Sequence, residues 1–338
     1  MSRPASDYKY QPAWWLRNPH AQTLWGRFAR RRPRIPTTTE CIRASDGDNI
    51  ELHHLEPAHP TAPRVLLLHG LEGSARSHYV GGFLSEARAR DWGASVLVFR
   101  GCGTAPNVAP RFYHSGETTD LASAFARLRE RWPESVWCCA GVSLGGNVLL
   151  KWLGECGVSV DARIRAAAAV SVPFDLEAGA RRISQGLSRV YDRSFLNSLR
   201  QKALAKLVRF PDLFDRLTLE RARTVYEFDD AVTAPVHGFA SAREYYGRSS
   251  SLQFLGGIRV PTLLVSAEDD PFLPAEVLSR VAAIAEHSSR LTAEFHRSGG
   301  HVGFVGGRFP WRPTYHAERR AFQFFDGVME TRRPGSYD

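Results

Sequence analysis

Nowhere in its 338 residues does the chain hold about 18 apolar residues in a row, which excludes a membrane-spanning helix. Its five cysteines are too few, and odd in number, for a disulfide framework. Cys138 and Cys139 stand side by side in an apolar run, where thiols serve as small buried side chains. Residues 1–20 lack the apolar stretch that a secretory signal needs. These absences together point to a reducing, cytoplasmic compartment. No H-E-x-x-H and no paired C-x-x-C occurs, so a metal site has no support. Gly101-Cys102-Gly103 follows an apolar run, but Pro106 stands where a dinucleotide-binding loop needs its third glycine. The net charge is +9, part of it in "RFARRRPR", Arg27 to Arg34. No helix-turn-helix, zinc-finger or RNP-like pattern accompanies that run, so nucleic acid is not an expected partner. A solvated face is the plain reading, with peripheral contact to an anionic membrane as the alternative. Internal repeats and low-complexity tracts are absent too.

What is present is an alternation. "VLLLHG" (Val65 to Gly70), "SVLVFRG" (Ser95 to Gly101), "VWCCAG" (Val136 to Gly141), "IRAAAAVSVP" (Ile164 to Pro173) and "PTLLVSAED" (Pro261 to Asp269) are short, nearly continuous apolar runs. Strands buried on both faces of a parallel sheet have this character. Between them lie segments with helical spacing, such as Leu121, Phe125 and Leu128 at i, i+4, i+7. The fold class is therefore α/β: a mostly parallel sheet with helices on both faces. Residues 37–57, around the turn Asp46-Gly47-Asp48, predict an antiparallel hairpin ahead of that sheet. From Phe174 to Arg248 the alternation stops. Ile183, Leu187, Val190, Tyr191, Phe195 and Leu199 are helically spaced there, and no central strand follows. The expected organisation is a core of residues 1–173 and 249–338, with a helical cap, 174–248, inserted above the strand ends.

Gly141-Val142-Ser143-Leu144-Gly145 sits between an apolar strand and a helix that opens near Gly145. G-x-S-x-G in that context is a nucleophile elbow. The serine must take a strained, positive-φ conformation, and a Cβ at either glycine would collide with the neighbouring backbone. The helix start directs free N–H groups toward an anion forming at the serine. A serine needs a base, and the base needs an orienting acid, in the chain order Ser, Asp or Glu, His. Asp270, past the "LLVSA" run, is the preferred acid, with Asp269 beside it as the alternative. His301, among glycines after the strand Leu291 to His296, is the preferred base; His296 reads as a strand residue. The backbone N–H groups of Leu144 and Leu71 are the expected oxyanion donors. His69 and Glu72, in the "HGLEGS" loop, are given structural roles. Ser115, followed by Glu117 and Asp120, is read as a helix start. His114 is read as structural or cleft-lining, and Asp229 and Asp230 as cap or hinge residues rather than as the acid.

Longer segments carry a resemblance. "NPHAQTLWGR", "HGLEGS", "FRGCGTAPNVAPRFYHSGETTDL", "GVSLGGNVLLKWLGE", "FDDAVTAPVHGFASAREYYGRSSS" and "DDPFLP" followed by "SGGHVGFV" make the chain similar to the YheT-like α/β-hydrolases over nearly its whole length. That family includes bacterial esterases, yeast medium-chain acyl ester synthase/esterases and mammalian relatives linked to phospholipid metabolism. The resemblance implies an α/β-hydrolase fold and a charge relay of Ser143, Asp270 and His301. It also implies hydrolysis of small-molecule carboxylic esters with short- to medium-chain acyl groups. The same residues serve two rivals: acyl transfer to an alcohol, and a non-catalytic lipid-binding protein on this fold. No cofactor is expected, because serine acyl transfer needs none. The lipid-metabolising relatives carry an N-terminal membrane anchor for which this sequence has no counterpart.

Overall fold

The short apolar runs become strands because Val, Leu, Ile and Ala side chains can leave water on both faces of a sheet at once. The structure is a computed structural model that describes residues 10–105 and 107–331. Residues 1–9, Pro106 and residues 332–338 lie outside the described residues. Eight strands form one sheet: β1 (Thr38–Arg43), β2 (Asn49–Leu55), β3 (Arg64–Leu68), β4 (Gly93–Val98), β5 (Trp137–Val142), β6 (Ile164–Val170), β7 (Thr262–Ala267) and β8 (Leu291–His296). Their order is β1-β2-β4-β3-β5-β6-β7-β8. β1 and β2 pair antiparallel around the Asp46-Gly47-Asp48 turn, and β2 joins β4 antiparallel. From β4 to β8 every pairing is parallel. All residues of β3, β4, β5 and β7 are buried, whereas the edge strand β1 alternates between exposed and half-buried.

Two of the apolar runs outlast their strands. β3 stops at Leu68 and β7 at Ala267, so His69, Gly70, Asp269 and Asp270 belong to loops beyond the carboxyl ends of the strands. In an open α/β sheet that is where ligands bind.

Two layers of helices cover the sheet. On one face lie α3 (Thr119–Arg131), α4 (Leu144–Cys156) and a later helix, Ala275–Glu286, burying Leu121, Phe125, Leu128, Val148 and Val281. On the other lie α2 (His78–Ala89) and the last helix, His316–Glu330, burying Val80, Phe83, Phe322 and Phe325. Full burial of one such side chain stabilises the fold by about 1.5–3 kcal/mol. Cys138 and Cys139 face opposite layers, as consecutive strand residues must. Among the described residues no helix is long and apolar enough to cross a membrane.

Two local expectations are corrected. α3 begins at Thr119 rather than at Ser115, because a carboxylate takes the cap: Glu117 accepts the N–H groups of Thr119 (2.9 Å) and Asp120 (3.2 Å). Asp120 instead binds the buried Arg100 guanidinium at 2.5 and 2.6 Å. Burial opposes that charge, but Asp120 and Asp46 outweigh burial and hold the Arg100 pKa above its usual value.

The second correction concerns residues 174–248, which hold helices and no strand among the described residues. α5 (Leu176–Ile183) and α6 (Arg189–Arg209) do not form one continuous apolar stripe. α5 ends at Ile183, and Gly186, with φ +51°, opens the turn between the two helices; Leu187 is 72% and Val190 66% exposed. Leu196, Ala203, Phe214, Phe228 and Val232 form a small separate core in this segment.

Candidate active site

The elbow follows from steric crowding. Ser143 has φ 55° and ψ −122°, between β5 and α4. A Cβ on Gly141 would lie 2.5 Å from the Gly145 carbonyl oxygen, and one on Gly145 would lie 2.4 Å from that of His69. Only hydrogen at those positions lets strand, turn and helix meet.

His301 and Asp270 arrive from the neighbouring loops. His301 Nδ1 lies 2.8 Å from Asp270 Oδ2, and Nε2 lies 3.0 Å from Ser143 Oγ. A carboxylate can only accept, so it keeps the imidazole proton on Nδ1 and leaves Nε2 bare toward the serine hydroxyl. Asp270 is 1% exposed and accepts the Phe272 N–H at 2.8 Å, while the Phe272 ring stacks on His301 with centroids 4.2 Å apart. The three predicted residues therefore form one hydrogen-bonded row.

The other candidates stand apart from that row. Asp269 accepts the N–H groups of Gly299 and Gly300, each at 2.9 Å, and so holds the loop that carries His301. His296 ends β8, in the strand position expected of it. Asp229 is buried and bound by Thr233 and by Tyr246 (2.6 Å), and Asp230 accepts the Ala242 N–H. His114 lines the cavity, accepts the Gly116 N–H at 3.1 Å and packs against His237; burial, then His237, pushes its pKa well down. His69 is fully buried and pushed down to about 4 by desolvation. Its ring bonds the Gly70 carbonyl (2.8 Å) and accepts the Phe99 N–H (3.1 Å), a loop-fixing role.

Around Leu71 the backbone is tied on both sides. The Gly70 N–H donates to the Tyr79 hydroxyl (2.8 Å), and the Glu72 N–H to the Tyr113 hydroxyl (2.9 Å). Among the described residues neither Leu71 nor Leu144 donates its N–H to another residue. Both line the same cavity as Ser143, and Leu144 opens a 13-residue helix whose first N–H groups have no intrahelical partner. The cavity measures about 790 Å³ and has apolar walls from Leu71, Ile183, Tyr191, Phe195, Phe272 and Val302.

Sequence reasoning missed the supports supplied by α1 (Pro19–Phe28). Asn18 caps that helix, accepting from His20 and Ala21. Thr23 Oγ1 then accepts the His301 N–H (2.9 Å), and Gln22 bonds both the N–H (2.8 Å) and carbonyl (3.1 Å) of Val305. Ser171 Oγ accepts the Val302 N–H at 3.0 Å. With Val302 at φ 59° and Phe304 at φ 42°, the His301 loop is strained and needs these anchors. The motif "NPHAQTLWGR" was the only signal, and its partners lie some 280 residues away. Asn147 was also missed. It donates to the Ser115 and Ser249 carbonyls and accepts the Ser251 N–H, all at 2.8 Å, pinning α4 to the helical segment.

One group of metal-type donors exists among the described residues: Glu294, His296 and His316, with ligand atoms within 4.8 Å of one another. Both Glu294 oxygens already accept from Arg320 Nε at 2.9 Å, so a cation occupies that carboxylate.

Comparison with known proteins agrees with this architecture. Residues 63–306 match the family described as alpha/beta hydrolase fold. The chain is 38% identical to YheT of Escherichia coli, a protein named as an esterase, over 90% of this chain and 89% of that one. It is 33% identical to a monoacylglycerol lipase of Saccharomyces cerevisiae, over 73% of this chain and 56% of that one. An esterase structure from Pyrococcus furiosus overlaps with a TM-score of 0.58 at 17% identity, covering 87% of this chain and 91% of that one. That last likeness concerns the fold alone.

Proposed function

Because the chain belongs to the α/β-hydrolase family, and within it to the YheT-like esterases, we propose that it cleaves carboxylic esters by acyl transfer through Ser143. The observation that carries this reading is the row Asp270–His301–Ser143, at 2.8 and 3.0 Å, opening onto an apolar cavity. His301 Nε2 takes the hydroxyl proton as Ser143 Oγ attacks the ester carbonyl. Asp270 holds the ring and stabilises the imidazolium that forms. The oxyanion is received by the N–H groups of Leu71 and Leu144, each donor contributing about 3–4 kcal/mol to the transition state. His301 then returns the proton to the leaving alcohol, and afterwards activates water to free the acid. The chemistry needs no cofactor.

The acyl groups in this reading are short- to medium-chain, and the cavity that would receive them has apolar side chains from α5, α6 and the Phe272 loop. A series of p-nitrophenyl esters of increasing chain length tests both parts. Turnover should peak within the short-to-medium range, and Ser143→Ala should lower kcat by about 10⁶. Ester turnover surviving that substitution would end the proposal.

A further inference from the structure

Glu72 directly follows Leu71 and has φ +54°, a conformation that is costly for a residue with a Cβ. Three side chains converge on its carboxylate. Tyr113 Oη donates to Oε1 at 2.7 Å, Lys202 Nζ donates to Oε1 at 2.8 Å, and Ser198 Oγ donates to Oε2. Ser198 and Lys202 are i and i+4 on α6, so one helix face grips the carboxylate. The Glu72 side chain is 10% exposed, which makes these charge-assisted bonds strong. The other end of the network reaches the core. Tyr113, which also accepts the Glu72 N–H, stacks on Phe99 (5.4 Å), and Phe99 packs edge-on against His69 (4.8 Å). The peptide between Leu71 and Glu72 is thus fixed from the sheet side by Tyr113 and from the helical segment by Ser198 and Lys202.

We infer that Glu72 is a positioning residue for the oxyanion donor: its carboxylate, clamped by Ser198 and Lys202 of α6, holds the Leu71 N–H toward the carbonyl attacked by Ser143. The inference rests on the reading that Leu71 supplies that donor. It also makes α6 part of the reacting machinery, because Ser198 and Lys202 line the cavity while they hold the loop. An acyl chain lying against α6 presses on the element that sets the donor.

The test compares Glu72→Ala, Glu72→Gln and Lys202→Met in the full chain. Each is assayed for kcat and KM with p-nitrophenyl butyrate and for inhibition by an alkyl boronic acid, whose tetrahedral serine adduct engages the same donors. Glu72→Ala should lower kcat by about 10- to 100-fold with KM within threefold, and weaken boronate inhibition in proportion. Glu72→Gln keeps shape and should recover part of the loss. Lys202→Met breaks the clamp from the helix side, leaves Glu72 in place and should lower kcat by about 3- to 10-fold. It decides the matter should the Glu72 variants fail to fold. A merely structural Glu72 would lower the Tm and leave kcat and boronate affinity unchanged, which overturns the inference. So would a rise in KM at constant kcat. Failure of the underlying reading looks different: wild-type protein would resist the boronate, and Ser143→Ala would keep its turnover.

Discussion

Replacing Gly145 by alanine adds one methyl group where the elbow has no room for it. The new Cβ would lie 2.4 Å from the His69 oxygen, 2.6 Å from the Leu68 oxygen and 2.7 Å from the Leu68 carbonyl carbon. All three are backbone atoms, so no side chain can swing aside. Ordinary contact begins at 3.4 Å, and the shortfall, 3.4 − 2.4, means that the end of β3 and the start of α4 must part by about 1 Å. Overpacking of this kind costs about 1–3 kcal/mol, or a fall in Tm of roughly 1–4 °C for a chain of this size. The same wedge separates the loop of Leu71 from the helix of Leu144. A misplacement of about 1 Å can cost about 100-fold in rate. We therefore expect kcat with p-nitrophenyl butyrate to fall about 100-fold or more, with KM within threefold. Gly154→Ala is the control. Its Cβ would lie 2.3 Å from the Phe254 oxygen, an equal clash far along the same helix. It should lose comparable stability and keep kcat within about threefold. Equal kcat losses in both variants, or near-normal kcat in Gly145→Ala, would refute the argument.

Asp269→Ala should strip the acceptor from the Gly299 and Gly300 N–H groups at about 1–3 kcal/mol per stranded donor, lowering kcat roughly 10-fold in steady-state assays. A loss as deep as that of Ser143→Ala would instead mark Asp269 as the working acid. Stability should fall in mild acid, measured by urea unfolding at pH 7.5, 6.5 and 5.5. Burial pushes His78 down to about 3, and His69 and His237 down to about 4, from an unfolded value near 6.5. Below pH 6.5 the unfolded chain gains protons that the folded chain refuses, so each group removes about 1 kcal/mol between pH 6.5 and 5.5. A flat or rising profile over that interval would contradict the burial of these rings.

The sheet was legible because its signal is local: a run such as "VLLLHG" carries its own burial pattern, and G-x-S-x-G carries its own steric reason. Asp270 and His301 could be picked by chain order and by their place past strand ends. The apolar runs alone did not mark where strands stop, since "VLLLHG" and "PTLLVSAED" continue two residues beyond the ends of β3 at Leu68 and β7 at Ala267. Gly186 sat inside an apparently helical pattern, yet it opens a turn between two helices, and Leu187 and Val190 lie outside the core. The supports of the site could not be read at all. Thr23 and Gln22 look like ordinary helix residues until the loop of His301 and Val305 is laid against them. Glu117 and Ser115 both fit a helix start, and the carboxylate's reach decided between them. Glu72 is an acid in a glycine-rich loop until α6 is folded over it.

The most direct measurement is the site of covalent capture. Incubated with a fluorophosphonate, intact protein should gain one adduct, and digestion with mass spectrometry should place it on Ser143. Ser143→Ala should gain none, and Asp270→Asn should react far more slowly, since an amide 2.8 Å from His301 Nδ1 can donate to it, favours the wrong tautomer and cannot stabilise the imidazolium. An adduct on another residue, or labelling that persists without Ser143, would contradict the account.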